Sequence, residues 1–477
     1  MHTTKQSRHY SSSIKPVISP AFFMDDSSNR LPTGRKQGVL TMERIKQDVA
    51  QFLTRHGLYY KDIDMREVVA LLLRDMENGL AGKQSSLKMI PTYIRAGVDI
   101  PPHTPVIVID AGGTHLRVAS VLFDESLTPH ITNFRQHPMP GTQGKVDRTE
   151  FFARFAGHIE DIVDTSDRIG FCFSYPTEIL PSKDGRLLFF SKEIDTEGIV
   201  GRLIGENLLR AIADKGKDSR KRVVILNDTV ATLLAARARS ALHRYGEYIG
   251  FILGTGLNCC YSEKNSNITK TPDLDPSQTQ IINTESGGFD KCPRGDIDKQ
   301  MDAATGNPGL GVLEKMISGA YFGELCLRVI TAAAAGGLFS RGTGERLRTL
   351  ETLSTKEVNE FLISPQTPGA LADRLDPGHS PDGAALYYLL DALVERSATL
   401  VSVLLCGMVM KNPPPPDPRV PVCISAEGST FFKLKGLKAR VECGLRRMLT
   451  EEHNRYFEFV SIENAPLIGA AIAGLTN

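Results

Sequence analysis

Tryptophan is absent from this chain of 477 residues, and so is any imbalance of charge: 56 basic side chains stand against 55 acidic ones. A protein built as a whole to wrap nucleic acid would carry a large basic excess, so that class is set aside, although a local basic patch stays open. No C-x-x-C pair and no Cys/His ligand spacing occurs, so the eight cysteines indicate neither a zinc site nor a disulfide framework. Cys259 and Cys260 adjoin, and Cys172, Cys406 and Cys423 sit in apolar runs. Buried free thiols in a reducing compartment are the expectation, and with them a cytoplasmic location. No membrane span is expected, because the most apolar stretch, residues 398–410, is too short to cross a bilayer and reads as a buried helix. The N-terminus lacks the apolar core of a secretory signal. Its first 24 or so residues are Ser-rich, basic and free of acid, as in a transit peptide. A disordered tail over 1–38, or a start placed too early with Met24 or Met42 as alternatives, is the plainer reading. No Walker-type Gly-x-x-x-x-Gly-Lys-Ser/Thr segment exists, and no G-x-G-x-x-G opens a helix after a strand, which excludes P-loop and Rossmann sites.

What the chain does have is length for two domains and a large core. Short apolar runs ending in polar or glycine-rich turns read as buried strands at 106–110, 169–173, 223–226, 248–253, 420–424 and 457–460. Strands returning from glycine turns are expected at 115–123 and 258–262. Helical spacing marks 42–55, a segment around 65–74, 199–213, a stretch from 228 to about 239, 311–335, 344–350, 384–410, 436–449 and 465–475. A strand–glycine turn–strand hairpin therefore occurs twice, which suggests two related α/β halves facing one cleft. The class is α/β with mixed sheets.

Three segments carry chemistry. In Asp110-Ala-Gly-Gly-Thr114, glycines in a tight turn let backbone N–H groups approach an anion, Thr114 adds a donor, and the carboxylate is placed to hold Mg²⁺ or its waters. Gly254-Thr-Gly-Leu-Asn258 is a second such turn. Either alone is an ordinary structural turn; together they could grip a triphosphate from both walls of a cleft. Asn227-Asp228 closes a buried strand, where open α/β sheets place ligands, and Asp228 could accept the proton of an attacking hydroxyl. Its competing duty is to cap the helix that follows.

Phe171-Cys-Phe-Ser174-Tyr-Pro176, followed by Gly185-Arg-Leu and Phe190-Ser191-Lys192, resembles the sugar-binding signature of the hexokinase family. So do 106–121, 226–234, 249–261, 282–290 and the run from Asn307 to Glu324, with Leu338-Phe-Ser, Glu345-Arg-Leu-Arg-Thr and Glu427-Gly-Ser429 extending the match in order. The likeness spans roughly 40–475. It implies an actin-like ATPase (ribonuclease H-like) fold, with a large domain from 39–100 and 228–462 and a small domain from 101–227 and 463–477. It implies phosphoryl transfer from ATP to a 6-hydroxyl of glucose or a related hexose, with Mg²⁺ and with Asp228 as general base. Ser174, Ser191, Lys192, Asn227, Asn283, Glu285 and Glu314 match sugar-contacting positions. Asp110, Gly112, Gly113 and Thr114 match the first phosphate turn, and Gly254, Thr255 and Gly256 the second. Arg117 matches an arginine of the first hairpin, and Gly428, Ser429 and Thr430 the segment beside the adenosine. Hexose and ATP are the partners so implied, with no nucleic acid and either a monomer or a homodimer.

Several positions depart from the family pattern. Ser191 replaces the usual Thr, Glu193 a Gly, Phe190 a Trp, and Gly311 a sugar-contacting Gln. Losing that one neutral hydrogen bond weakens binding by about 0.5–1.5 kcal/mol. Asn464-Ala-Pro-Leu-Ile-Gly469 also replaces a glycine-rich family segment. The chain thus reads as a divergent member. A kinase for another hexose, a sugar-sensing protein without turnover and a nucleotide-switch ATPase on the same core are the alternatives. His115 stands where the family has Asn or Thr and is expected to be structural. The basic stretch from Lys433 to Arg447 is expected to be a solvated helix face.

Overall fold

The computed structural model describes residues 33–95, 97, 99–113, 115–190, 194–239, 245–376, 380–415, 417 and 419–477, with the side chains of 33–41, 239 and 380 left aside. Thr114, Ser191, Lys192 and Glu193 of the expected site lie outside these residues, as does the expected tail up to residue 32. Two compact units are distinguished, Met1–Arg44 and Ile45–Asn477. Of the first, the described residues belong to a helix, Thr33–Arg55. That helix begins earlier than the one expected from residue 42.

Strands of the second unit are numbered in chain order. They begin with β1 (Ile90–Pro91), β2 (Val106–Gly112), β3 (His115–Phe123), β4 (Pro129–Pro138) and β5 (Val146–Asp147). Next come β6 (Arg168–Phe173), β7 (Thr177–Ile179), β8 (Gly185–Leu187), β9 (Thr196–Glu197) and β10 (Arg222–Leu226). The last are β11 (Glu247–Leu253), β12 (Leu257–Lys264), β13 (Thr279–Asn283), β14 (Val422–Glu427) and β15 (Phe457–Val460). One five-stranded sheet runs β10-β6-β2-β3-β4, and one six-stranded sheet runs β1-β13-β12-β11-β14-β15. Each is built the same way. An antiparallel hairpin (β2–β3, β11–β12) is extended on one side by parallel strands, β6 and β10 in the first sheet, β14 and β15 in the second. The repeat read from the two glycine turns is this shared plan. Fully apolar runs such as Val106–Ile109 suit central strands because both faces are covered.

Two helices form the layer between the sheets. Asp228–Arg239 lies on β11, β12 and β14, Ala465–Thr476 lies on β2, β6 and β10, and the two pack on each other. The layers touch backbone to backbone. A Cβ added at Gly170 would fall 1.8 Å from the Ala470 carbonyl oxygen, one at Gly469 would fall 1.9 Å from that of Ala231, and one at Gly250 2.2 Å from that of Thr229. Strand, helix, helix and strand are thus held together at positions where no side chain could stand. Two further apolar cores lie outside this layer, one around Phe151, Phe155 and Phe171, the other, the largest of the three, around the helix Ser380–Met410.

That helix corrects one expectation. Its segment Pro381–Met410 is 30 residues long and apolar enough to cross a membrane, so length does not rule out a span; what marks it as a core helix is that 83% of its apolar window is buried inside the fold. The stretch expected as one helix over 311–335 is two, Val312–Ile317 and Phe322–Ala335, broken where Gly319 N–H is drawn to the Gly254 carbonyl at 2.8 Å. The helix expected at 199–213 starts at Ile204 instead. Strands β4 and β13 were not anticipated. All eight cysteines are free, seven buried and Cys443 exposed.

Candidate functional site

The first turn is shaped by β2 and β3. Asp110 ends the apolar run with 2% of its surface exposed, and lies opposite Arg117 in the hairpin. A guanidinium nitrogen of Arg117 stands 2.6 Å from Asp110 Oδ2. Gly113 takes a left-handed φ of 45°, and the Tyr175 hydroxyl donates to its carbonyl at 3.0 Å. Ser174 N–H donates to the Ala111 carbonyl at 3.0 Å. A Cβ at Gly112 would meet Ser174 Oγ at 3.7 Å and Asp110 Oδ1 at 3.9 Å. The bare backbone of the turn, the serine and the carboxylate are therefore neighbours.

They open on a cavity of about 260 Å³ lined by Asp110, Gly112, Gly113, Arg117, Ser174 and Asp228, and completed by His115, Gln136, Ile252 and Pro466. Ile252 belongs to β11 and Pro466 to the Ala465–Thr476 helix, so both sheets and the layer between them reach it.

The capping expectation for Asp228 shifts by one residue. Asn227 precedes the helix; its carbonyl accepts from Ala231 N–H at 3.0 Å, and its side-chain oxygen accepts from Thr229 N–H at 2.9 Å and from the Thr229 hydroxyl. Asp228, in the first turn, accepts from Thr229 N–H at 2.9 Å through Oδ1 and still faces the cavity. An anion is favoured there by the helix dipole.

Beside this lies a web of amides and carboxylates. Asn258 Nδ2 donates to Asn283 Oδ1 at 2.8 Å, and to Asn227 Oδ1 and Glu285 Oε1 at 3.3 Å each. Asn283 Nδ2 donates to Glu285 Oε1 at 2.7 Å. Glu285 has a left-handed φ of 53°, a strained conformation for a side chain of that size. Burial pushes its carboxyl up to about 7; the Asn283 and Asn258 amides pull it down, while the charges of Asp228 and Glu314 push it further up. Glu314 Oε2 accepts from Leu257 N–H at 2.8 Å. A Cβ at Gly256 would fall 2.7 Å from that oxygen. A side chain at Gly256 would therefore displace the Glu314 carboxylate. Asn258 is the residue that sequence reasoning missed. Its signal was an amide set in an apolar strand directly after a glycine turn.

The second turn gathers a separate cluster. The Gly254 carbonyl accepts from Gly319 N–H and from the Thr430 hydroxyl at 2.8 Å each, and the Thr255 carbonyl from Ala320 N–H at 3.1 Å. Gly428, at φ 111°, approaches so closely that a Cβ would lie 2.3 Å from the Leu253 carbonyl oxygen. The Thr255 and Ser429 residues are exposed and Thr430 is buried. The expected second turn and adenosine segment are therefore in contact, although neither lines the 260 Å³ cavity around Asp110.

Two models of the hexokinase family match the chain, one over residues 51–238 and one over 248–476. Hexokinase-1 of Schizosaccharomyces pombe is 28% identical over 428 residues, covering 86% of each chain. The hexokinase of Schistosoma mansoni is 29% identical over 393 residues, 77% of this chain and 84% of that one. Hexokinase-2 of Equus caballus is 28% identical over 450 residues, but this chain spans only 48% of its length. Among solved structures, a Schistosoma mansoni hexokinase superposes with a TM-score of 0.73 at 24% identity over 91% of this chain and 100% of that one. A second hexokinase gives 0.69 at 21% identity. The fold is that of the actin-like sugar kinases, and the chain belongs to the hexokinase family.

Proposed function

We propose that this protein transfers the γ-phosphoryl group of ATP to the 6-hydroxyl of glucose or a related hexose. The observation that carries the reading is the single cavity onto which Asp110, the bare Gly112–Gly113 turn, Ser174 and Asp228 all open. Asp228 takes the proton of the attacking hydroxyl, and the glycine N–H groups with Arg117 stabilise charge on the phosphoryl oxygens. Asn227, Asn258, Asn283, Glu285 and Glu314 orient the sugar, each pairing with ring hydroxyls; Ser174, Ser191 and Lys192 complete that set. Thr255, Gly254, Gly428 and Ser429 hold the nucleotide from the second turn.

Mg²⁺ fits this donor set as a companion of ATP. Among the described residues no group of three or more ligating side chains exists, and the carboxylates lining the cavity are Asp110 and Asp228. The ion would be held by phosphate oxygens and by water bridged to Asp110, and would supply charge neutralisation on the phosphates. The small domain is assigned to 101–227 with 463–477 and the large one to 39–100 with 228–462, a division supported by sheet membership and by the docking of Ala465–Thr476 on β2 and β6. A cytoplasmic location is supported by the free cysteines.

Glucose is favoured because a related hexokinase structure is described as complexed with glucose. A different hexose is the second reading, and Gly311 favours it. It takes a left-handed φ of 62°, and a Cβ there would meet only Glu314 within 4 Å, which leaves room beside that carboxylate. Phosphorus NMR of the protein with Mg-ATP and glucose tests the proposal. A new phosphomonoester resonance at the sugar 6-position is expected; a product phosphorylated elsewhere, or none with glucose or any other hexose, would overturn it.

A further inference from the structure

Lys315 is a buried charge that the proposed reaction leaves without a part. It follows Glu314 in the short helix Val312–Ile317, and 2% of its surface is exposed. An ammonium group has three protons to donate. All three are taken, by Asp302 Oδ1 at 2.6 Å, the Thr305 hydroxyl at 2.8 Å and the Asn307 carbonyl at 2.8 Å. Asp302 closes the helix Asp296–Ala303. Its carboxylate also accepts from the Gly309 N–H at 3.1 Å and from Arg294 Nη2 at 2.7 Å. One buried ion pair thus ties down both ends of the loop that leads to Glu314.

Burial does little to hold that loop. Residues 306–310 are exposed, Leu310 to 58%, and a Cβ at Gly306 or Gly309 would meet nothing within 4 Å. The helix after it has six residues, under two turns, and is too short to set its own orientation. Successive side chains on a helix point about 100° apart. Drawing Lys315 back to Asp302 therefore fixes the direction of Glu314, whose Oε2 reaches the Leu257 N–H at 2.8 Å. A buried ion pair is weak evidence for stability, since apolar side chains of like volume often serve as well. We propose that Lys315 is a positioning residue of the sugar site: anchored to Asp302, Thr305 and Asn307, it holds the 302–311 loop and aims Glu314, without touching substrate itself. The inference rests on the sugar-kinase reading for what Glu314 holds, and not for the anchor.

Lys315→Met removes the three donors at nearly constant volume. Hydrogen exchange of the full chain, read by mass spectrometry, should then speed up in peptides covering 305–311 and in the one holding Leu257, whose N–H Glu314 binds, with β2 unchanged. Steady-state kinetics should show the KM for glucose raised about ten- to a hundredfold, the scale of a small misplacement in a site, and the KM for Mg-ATP unchanged. The double variant Asp302→Leu, Lys315→Met replaces the ion pair by apolar side chains and should melt near the wild type. It should still keep the raised glucose KM, because the Asn307 carbonyl and the Gly309 N–H remain without these partners. A glucose KM that recovers along with melting in the double variant makes the pair merely structural and overturns the inference. So does an unchanged glucose KM or unchanged exchange at Leu257 in Lys315→Met, a KM for Mg-ATP that rises equally, or failure of both variants to fold. Faster exchange at Leu257 with no hexose turnover in the wild type leaves the anchor standing and overturns the kinase reading instead.

Discussion

Asp228 and Glu285 show how two carboxylates in one site acquire different duties. Asn227 takes over the helix cap, which leaves Asp228 facing the cavity with one local N–H bond. Replacing Asp228 with Ala is expected to lower turnover by about 10²–10⁴-fold while Mg-ATP and sugar still bind, as read by stopped assays and calorimetry. Glu285 is crowded by Asp228 and Glu314 and titrates near 7. Its ionised form accepts sugar hydroxyls more strongly, so hexose affinity should rise as pH passes upward through about 7 and level off above. Glu285→Gln should flatten that profile; a profile unchanged in the variant would remove Glu285 from the sugar site. Linkage runs the opposite way for stability. The folded carboxyl binds its proton more tightly than the unfolded one, so its contribution is fully present below the unfolded value and is lost as pH rises through about 7. Most of these residues were legible from motif order alone. Asn258 was not, because its importance lies in three acceptors, Asn227 after β10, Asn283 of β13 and Glu285 beyond it, and the local amide after a glycine turn does not by itself reveal that convergence.

Strands were read well where burial dictates composition. His115–Phe123 and Phe457–Val460 were placed to the residue, and β2, β6 and β10 within two. β4 escaped because it is an exposed edge, polar, closed at both ends by proline and with Asn133 at a left-handed φ of 52°; such features guard an edge against pairing and hide the strand pattern. The helix break at 318–321 escaped because its cause is a long-range pull from Gly254. The glycine stack of the central layer was likewise unreadable as packing, although its glycines were visible. It makes a sharp prediction. Gly469→Ala puts a methyl 1.9 Å from a backbone oxygen of the neighbouring helix, and should cost about 1–3 kcal/mol or more in unfolding titrations. Gly306→Ala meets nothing within 4 Å and serves as the control, expected to change stability little. Equal melting of the two variants would mean that the layer is looser than the structure shows.

Across the whole molecule, the two glycine-turn hairpins belong to different sheets joined through the paired helices. Rotation of one sheet relative to the other about that layer would bring the Gly254–Gly256 cluster toward the cavity at Asp110. Under the proposed function, closure of this kind would exclude water and align the hydroxyl with the phosphorus. The long helix Ser380–Met410 packs chiefly against the helices Leu437–Leu445 and Met65–Leu80, and 83% of its apolar window is buried inside the fold. The most direct measurement of the central claim is coupled ADP release with Mg-ATP, scanned over glucose, mannose, fructose, glucosamine and no sugar, for wild type and Asp228→Ala. The account predicts release that requires a hexose and falls by at least about 10²-fold in the variant. Release that no sugar stimulates, or that persists at wild-type rate in Asp228→Ala, would contradict it.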